Sequence, residues 1–203
     1  MLSEMLSAAI LGVDGVPVRV EADVAFGLPS LTIVGLAGSA VQEARERVRS
    51  AIRNCGFEVP ARRITVNLAP ADLPKDGTSY DLAIASAILG ASGQLGLKPT
   101  RRCALIGELA LDGSLRPVPG TLALAAAARS AEVSEVVVPQ ASVREAASVR
   151  DLTVRGAASL GDAVAHLVGL RELPAAEPTP VPAWSAPVGV PDLADARPAL
   201  APG

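Results

Sequence analysis

The chain has 203 residues, of which 50% are hydrophobic and 19% are charged, and its formal net charge is -3. A nearly neutral chain of this length can bury one substantial core, so its composition excludes a histone-like or polybasic nucleic-acid binder. Its aromatic residues are 2 Phe, 1 Tyr and 1 Trp, too few for the stacking platforms that bind single-stranded nucleic acid.

Cysteine and histidine usage excludes a zinc site. Cys55 and Cys103 stand far apart, and His166 is the only histidine, whereas a structural zinc needs four such ligands. Residues 1–15 contain no Lys or Arg to start a signal peptide, and no run approaches the roughly 20 apolar residues of a membrane span. The sequence therefore predicts a soluble, cytoplasmic protein with reduced thiols and no membrane partner.

Alternating polar and apolar residues predict strands over residues 16–24 and 31–34. Residues 35–38 are glycine-rich but lack the G-x-G-x-x-G spacing of a dinucleotide site, so they are predicted to form a plain strand-to-helix turn. Ser39 and Gln42 have the spacing of a capping box that opens a helix. Apolar residues then recur every three or four positions, and Gly56 is the predicted C-terminal cap.

Arg45, Arg49 and Arg53 follow one another at intervals of four on this helix and form an arginine stripe. Residues 41–63 contain six bases and three acids, a local charge of 6 - 3 = +3. Such a face can bind the phosphates of DNA or the carboxylates of a protein partner. The alternative is a solvated face in which Glu46 pairs with Arg49, three residues away.

A strand over residues 62–68, a loop over 69–78 and a buried helix over 79–89 come next. The pattern G-x-x-x-x-G-K-[ST] is absent, because the only lysines are Lys75, before an aspartate, and Lys98, before a proline. No Walker A phosphate loop is therefore predicted, and we do not expect the chain to hydrolyse ATP by itself.

Ser79 stands where the loop enters the buried helix, a position with free amide groups and a favourable dipole. A serine there can serve as a nucleophile, but the sole histidine lies in a terminal helix at a position typical of a core residue, so no base is evident. The simpler interpretation is that Ser79 or Thr78 caps the helix.

In the second half, Asp112 and Gly113 separate two alternating runs, which is a hairpin signal. Further helices and strands are predicted in alternation over residues 121–131, 135–138, 142–147, 152–154 and 159–168. Eight of the 17 prolines follow residue 173. The pattern predicts a mixed α/β domain over residues 1–173 and a Pro/Ala-rich linker or disordered tail over 174–203.

Several sequence blocks resemble one family. They are EADV at 21–24, GLP at 27–29, AVQEARERVR at 40–49, RITVNLAPADLPK at 63–75, YDL at 80–82 and GELALDG at 107–113. Together they resemble the N-terminal domain of the magnesium-chelatase-like AAA+ ATPases, the YifB and competence protein ComM family. The resemblance runs in order from about residue 5 to 170.

The resemblance implies an α+β fold, a two-layer mixed α/β domain of the ribosomal protein S5 domain 2-like type, related to the Lon proteolytic domain. It also implies hexameric self-association and a link to DNA branch migration in transformation. ATP and Mg²⁺ would serve only the AAA+ module, whose entry resembles residues 190–197. That module is absent before the chain ends, so no cofactor or metal is expected here.

In Lon, the position that resembles Ser79 carries the nucleophile, and its lysine partner lies near the start of a later helix. Residues 121–123 of this chain are Thr, Leu and Ala. The resemblance therefore implies an accessory, non-catalytic domain as the first hypothesis. A Lon-like serine hydrolase at Ser79 is the second, and a standalone DNA- or protein-binding module on Arg45, Arg49 and Arg53 is the third.

Overall fold

The computed structural model describes residues 1–96 and 103–178. The strands in this part are β1 (Leu2–Leu11), β2 (Asp14–Ala25), β3 (Ser30–Val34), β4 (Arg63–Ala69), β5 (Cys103–Leu105), β6 (Glu108–Leu109), β7 (Leu115–Arg116), β8 (Glu135–Pro139) and β9 (Thr153–Ala157). The α-helices are α1 (Ser39–Asn54), α2 (Asp81–Ala91), α3 (Thr121–Ser130), α4 (Val143–Ala146) and α5 (Leu160–Leu167). Seven strands form one sheet in the order β3-β4-β2-β1-β5-β8-β9.

The first two strands form an antiparallel hairpin in which Met5 lies opposite Val20. Of these two strands, the sequence predicts β2 alone, because polar and apolar residues alternate in β2 and do not alternate in β1. In β1, Ser7, Ala8 and Ala9 are buried one after another. A strand in the middle of a sheet that is covered on both faces loses the alternation by which a half-buried strand is recognised.

β3, α1 and β4 form a crossover unit with β3 parallel to β4. The turn before α1 is the predicted plain turn, but the predicted capping box is wrong: Gly38 is the N-cap and no side chain caps it. The Gln42 side chain instead donates a hydrogen bond to the carbonyl oxygen of Ile33 at 3.2 Å, which ties the helix to β3. α1 ends at Asn54 with Cys55 as its C-cap, and the predicted Gly56 follows with φ of 82°, the left-handed conformation in which helices commonly terminate.

The hairpin predicted at Asp112 and Gly113 forms between β6 and β7. The apolar run before it is divided, because β5 joins the main sheet parallel to β1 while β6 leaves it. Gly107 lies between them with φ of 155°, a conformation that favours glycine. After the hairpin, α3, β8, α4, β9 and α5 lie within three residues of the predicted bounds.

Helices cover both faces of the sheet. α1, α2 and α5 enclose the larger core on one face, and α3 and α4 enclose a smaller core around Ala8, Leu124 and Val136 on the other. The predicted mixed α/β class is confirmed, and α3 with α4 adds a partial third layer to the two layers expected.

Contacts of the domain continue past Leu173. The Ala176 amide donates a hydrogen bond to the Val154 carbonyl at 2.8 Å, and Ala175 forms an isolated antiparallel bridge with Arg155. Residues 179–203, most of the predicted tail, and residues 97–102, which include Lys98, lie outside the described residues.

Candidate functional site

The arginine stripe lies on the outer side of α1. The helix buries one face, made of Val41, Ala44, Val48, Ala51 and Ile52. Arg45 and Arg53 are exposed, and Arg49 is partly exposed. Because residues four apart share one side of an α-helix, the structure brings the three predicted residues together on one surface.

The arginine stripe takes no part in the salt bridges of the described chain. Within residues 1–96 and 103–178, none of the three guanidinium groups forms a salt bridge, and Glu46 does not pair with Arg49. Arg45 Nε donates only to the backbone carbonyl of Gln42, at 2.9 Å. The Glu46–Arg49 pair of the second interpretation is therefore absent, while a binding face and a solvated face both stay predictions.

Arg47, on the same helix, has a different role. Its Nε donates to Asp81 Oδ2 at 2.7 Å and its Nη2 donates to Asp81 Oδ1 at 3.1 Å, a two-pronged ion pair. The Leu109 amide donates to the same carboxylate at 3.2 Å. Asp81 therefore joins α1, α2 and β6. Sequence reasoning missed this pair, although Arg47 stands three residues after the buried Ala44 and so lies beside the buried face.

Burial raises the pKa of Asp81 from 3.8 to about 6, while the hydrogen bonds and charge of Arg47 lower it. Because this pKa is higher in the folded protein than in an unfolded chain, the folded state binds the proton more tightly. The stabilisation is complete below pH 3.8 and is lost as the pH rises through about 6.

We therefore expect the contribution of Asp81 to the free energy of unfolding to fall as the pH rises from 4 to 7. The two pKa values, 3.8 and about 6, correspond to a difference of roughly 3 kcal/mol. Urea unfolding at several pH values measures how the free energy of unfolding changes with pH. The Asp81→Asn variant, measured in the same way, gives the pH dependence that comes from all other titratable groups. If the free energy of unfolding changes with pH equally in the native chain and in Asp81→Asn, the expectation is contradicted.

Ser79 does not cap α2, which corrects the sequence prediction. The helix begins at Asp81, Tyr80 is its N-cap and no side-chain cap forms. Ser79 is buried, and its hydroxyl donates to the carbonyl oxygen of Ala8 in β1 at 3.2 Å. The serine therefore fastens the loop before α2 to the central hairpin.

Among residues 1–96 and 103–178, no base is hydrogen-bonded to Ser79. Lys75 is fully buried, and its Nζ donates to the Pro70 carbonyl rather than to the serine. Burial lowers the pKa of Lys75, although the charge of Asp72 raises it. At the expected lysine position, Thr121 is buried and donates to the Val118 carbonyl at 2.9 Å. The contacts of Ser79 and Thr121 are those of packing residues.

His166 is a core residue, as its position predicts, with none of its surface exposed. Cys55 and Cys103 are not joined by a disulfide bond, and the first is half-buried while the second is buried. Among the described residues, no group of three or more His, Cys, Asp or Glu side chains is placed to hold a metal ion. In the same part of the chain, no helix combines the length and apolar character needed to span a membrane.

Comparison with known proteins identifies the family of this chain. Residues 20–142 match the family model described as subunit ChlI of Mg-chelatase. The chain is 55% identical over 124 residues to the uncharacterized protein YifB of Escherichia coli, covering 61% of this chain and 24% of YifB. It is 42% identical over 175 residues to competence protein ComM of Haemophilus influenzae, covering 86% of this chain and 34% of ComM. The chain thus spans a quarter to a third of these relatives.

A more distant similarity concerns the fold. The chain is 29% identical over 161 residues to the Lon protease of Salinispora arenicola, covering 71% of this chain and 20% of Lon. This agrees with the expected S5 domain 2-like fold, which is related to the Lon proteolytic domain. Since the family model matches more than half of the chain, the protein belongs to the magnesium-chelatase-like AAA+ family of YifB and ComM and corresponds to its N-terminal domain.

Proposed function

We propose that this chain is an accessory domain of a cytoplasmic, ComM-like DNA-remodelling ATPase, and that it contacts DNA through the arginine stripe without hydrolysing ATP itself. The observation that carries the proposal is the stripe itself: Arg45, Arg49 and Arg53 form no salt bridge in the described chain and lie on the open side of a well-packed helix. Similarity to a protein named for competence supports DNA as the partner. The missing Walker A pattern supports the lack of ATP hydrolysis.

The geometry of the stripe fits a phosphate backbone. Residues four apart on an α-helix rise by about 6 Å, so Arg45 and Arg53 are separated by about 12 Å along the axis. Double-stranded DNA presents about one negative charge per 1.7 Å of its axis. Three guanidinium groups over this length can therefore contact several phosphates at once, without reading bases.

Replacing all three arginines with glutamate is expected to weaken binding of a fluorescent DNA duplex at least tenfold at 100 mM salt, because each replacement removes a phosphate contact and adds repulsion. The slope of log K against log salt should become shallower by about 2.7, the value for three lost contacts. Fluorescence anisotropy from 50 to 200 mM salt measures both quantities.

The matched control carries the same change of charge on other exposed arginines, Arg19, Arg116 and Arg150. It should keep most of the affinity and the original slope. If the two triple variants lose the same affinity for the DNA duplex, net charge and not the arginine stripe governs binding. ATP turnover by the purified chain well above background would contradict the second half of the proposal.

A further inference from the structure

A buried group of charged side chains holds the end of the domain. Glu135 begins β8, Arg155 lies in β9 and His166 lies in α5, and the three are almost entirely buried. Arg155 Nε donates to Glu135 Oε2 at 3.0 Å, and His166 Nε2 lies 2.6 Å from Glu135 Oε1. Glu135 therefore joins the last two strands of the sheet to the last helix.

The same group fixes the segment 172–176, which follows α5. Arg155 Nη2 donates to Glu172 Oε1 at 2.7 Å, and Nη1 donates to the Leu173 carbonyl. The Leu173 amide donates to His166 Nδ1 at 3.2 Å. With the Ala175 bridge and the Ala176 hydrogen bond, these contacts lay the segment along the edge strand β9.

The hydrogen bonds define the state of the imidazole. Because Nδ1 accepts a proton from the Leu173 amide, it carries none of its own, so the proton of the neutral ring is on Nε2 and points at Glu135. Adding a second proton would place a donor on Nδ1, facing the donor of Leu173. The hydrogen bond from the Leu173 amide to Nδ1 therefore exists only while His166 is neutral, whereas the bond from Arg155 to the Leu173 carbonyl does not depend on the ring.

We propose that His166 is a pH-sensitive switch that holds the segment 172–176 on the edge strand when neutral and releases it when protonated. The segment leads into the residues after 178, and the curated relatives are about three to four times as long as their matched portion. The switch would therefore set how firmly the following part of the chain is held to this domain. The proposal is independent of the arginine stripe.

Within the described residues, the charged side chains of this cluster are Glu135 in β8, Arg155 in β9 and Glu172 after α5. Asp162, one turn earlier in α5, pairs with Arg171, and the one ionisable residue of α2, Asp81, is paired with Arg47.

Amide hydrogen exchange of the full 203-residue chain, followed by NMR at pH 7.5, 6.5 and 5.5, tests the switch. After correction for intrinsic exchange, protection of the Leu173 and Ala176 amides should fall roughly tenfold between pH 7.5 and 5.5, while Val66 in β4 stays protected. His166→Asn keeps an acceptor near the Nδ1 position but does not titrate, so its protection should not vary with pH.

The NMR signals of the His166 ring are recorded in the same samples and report its protonation. The native chain by itself therefore shows whether protonation of His166 and release of the segment 172–176 occur together. A ring that titrates while Leu173 keeps its protection would overturn the proposal, and so would a ring that stays neutral to pH 5.5. Loss of protection at Val66 in parallel with Leu173 would show global unfolding, which also overturns it. The same pH dependence in His166→Asn would assign the effect to another group.

Discussion

Replacing Arg47 with methionine is expected to lower the free energy of unfolding by about 3–5 kcal/mol at pH 7.5. Asp81 is 1% exposed, and Arg47 supplies two of the three donors that surround its carboxylate. Methionine keeps much of the packing volume but leaves a buried charge without its counter-ion. Such a charge costs several kcal/mol, so the carboxylate will take up a proton or the helices will separate.

A double-mutant cycle separates the charge from the packing. Arg47→Met with Asp81→Asn should be more stable than Arg47→Met alone, because the amide removes the unpaired charge. The deficit of Arg47→Met should also shrink at pH 5, where more of Asp81 is protonated. Arg45→Met, two residues earlier on the exposed side, is the matched control and should change stability by less than about 0.5 kcal/mol.

Urea unfolding followed by circular dichroism supplies the four free energies of the cycle and that of the Arg45→Met control. If Arg47→Met and Arg45→Met have the same stability, the two-pronged pair contributes nothing, and the joining of α1 to α2 rests on apolar packing alone. A deficit that does not depend on pH would mean that lost packing, and not the unpaired carboxylate, is the cause.

The sequence could predict the arginine stripe because the spacing of residues along a helix determines which of them share its exposed side. The interval of four puts Arg45, Arg49 and Arg53 on one side whatever the helix packs against. Arg47 needs tertiary information, since its partner lies 34 residues away, at the start of another helix. The same holds for Ser79, whose hydroxyl bonds to Ala8, 71 residues away in a strand that was not predicted. Local rules favour a helix cap for such a serine, and only the fold reveals the other partner.

Packing on both faces of the sheet explains the remaining differences. Period-two alternation predicts a strand with one solvent-exposed face, as over residues 18–25 of β2 and in β3. It fails for β1, which helices cover on both sides. The position of α3 decides whether helices cover one face of the sheet or both. Packing α3 in this position brings its backbone close to the backbone of the sheet, and the positions of the glycines in the sequence do not reveal that contact.

The approach occurs at Gly15 of β2, and Gly15→Ala is expected to lower the free energy of unfolding by about 2–3 kcal/mol. A Cβ there would overlap the carbonyl oxygen of Ala123 in α3 and lie 2.8 Å from the Ala127 Cβ. The helix must therefore move away from the sheet, which loosens the smaller core. For a domain of this size, the melting temperature should fall by roughly 5–10 °C.

Two further variants make this expectation specific to the contact. Gly161→Ala is the matched control, because its nearest neighbour would be 3.7 Å away and alanine favours the helix it lies in, so stability should stay the same or rise by up to about 1 kcal/mol. Adding Ala127→Gly to Gly15→Ala should restore little, since the closest atom belongs to the Ala123 backbone and remains in place. Full rescue by Ala127→Gly would mean that side-chain contact alone separates the layers, and Gly15→Ala as stable as Gly161→Ala would mean that α3 does not rest on β2 at this distance.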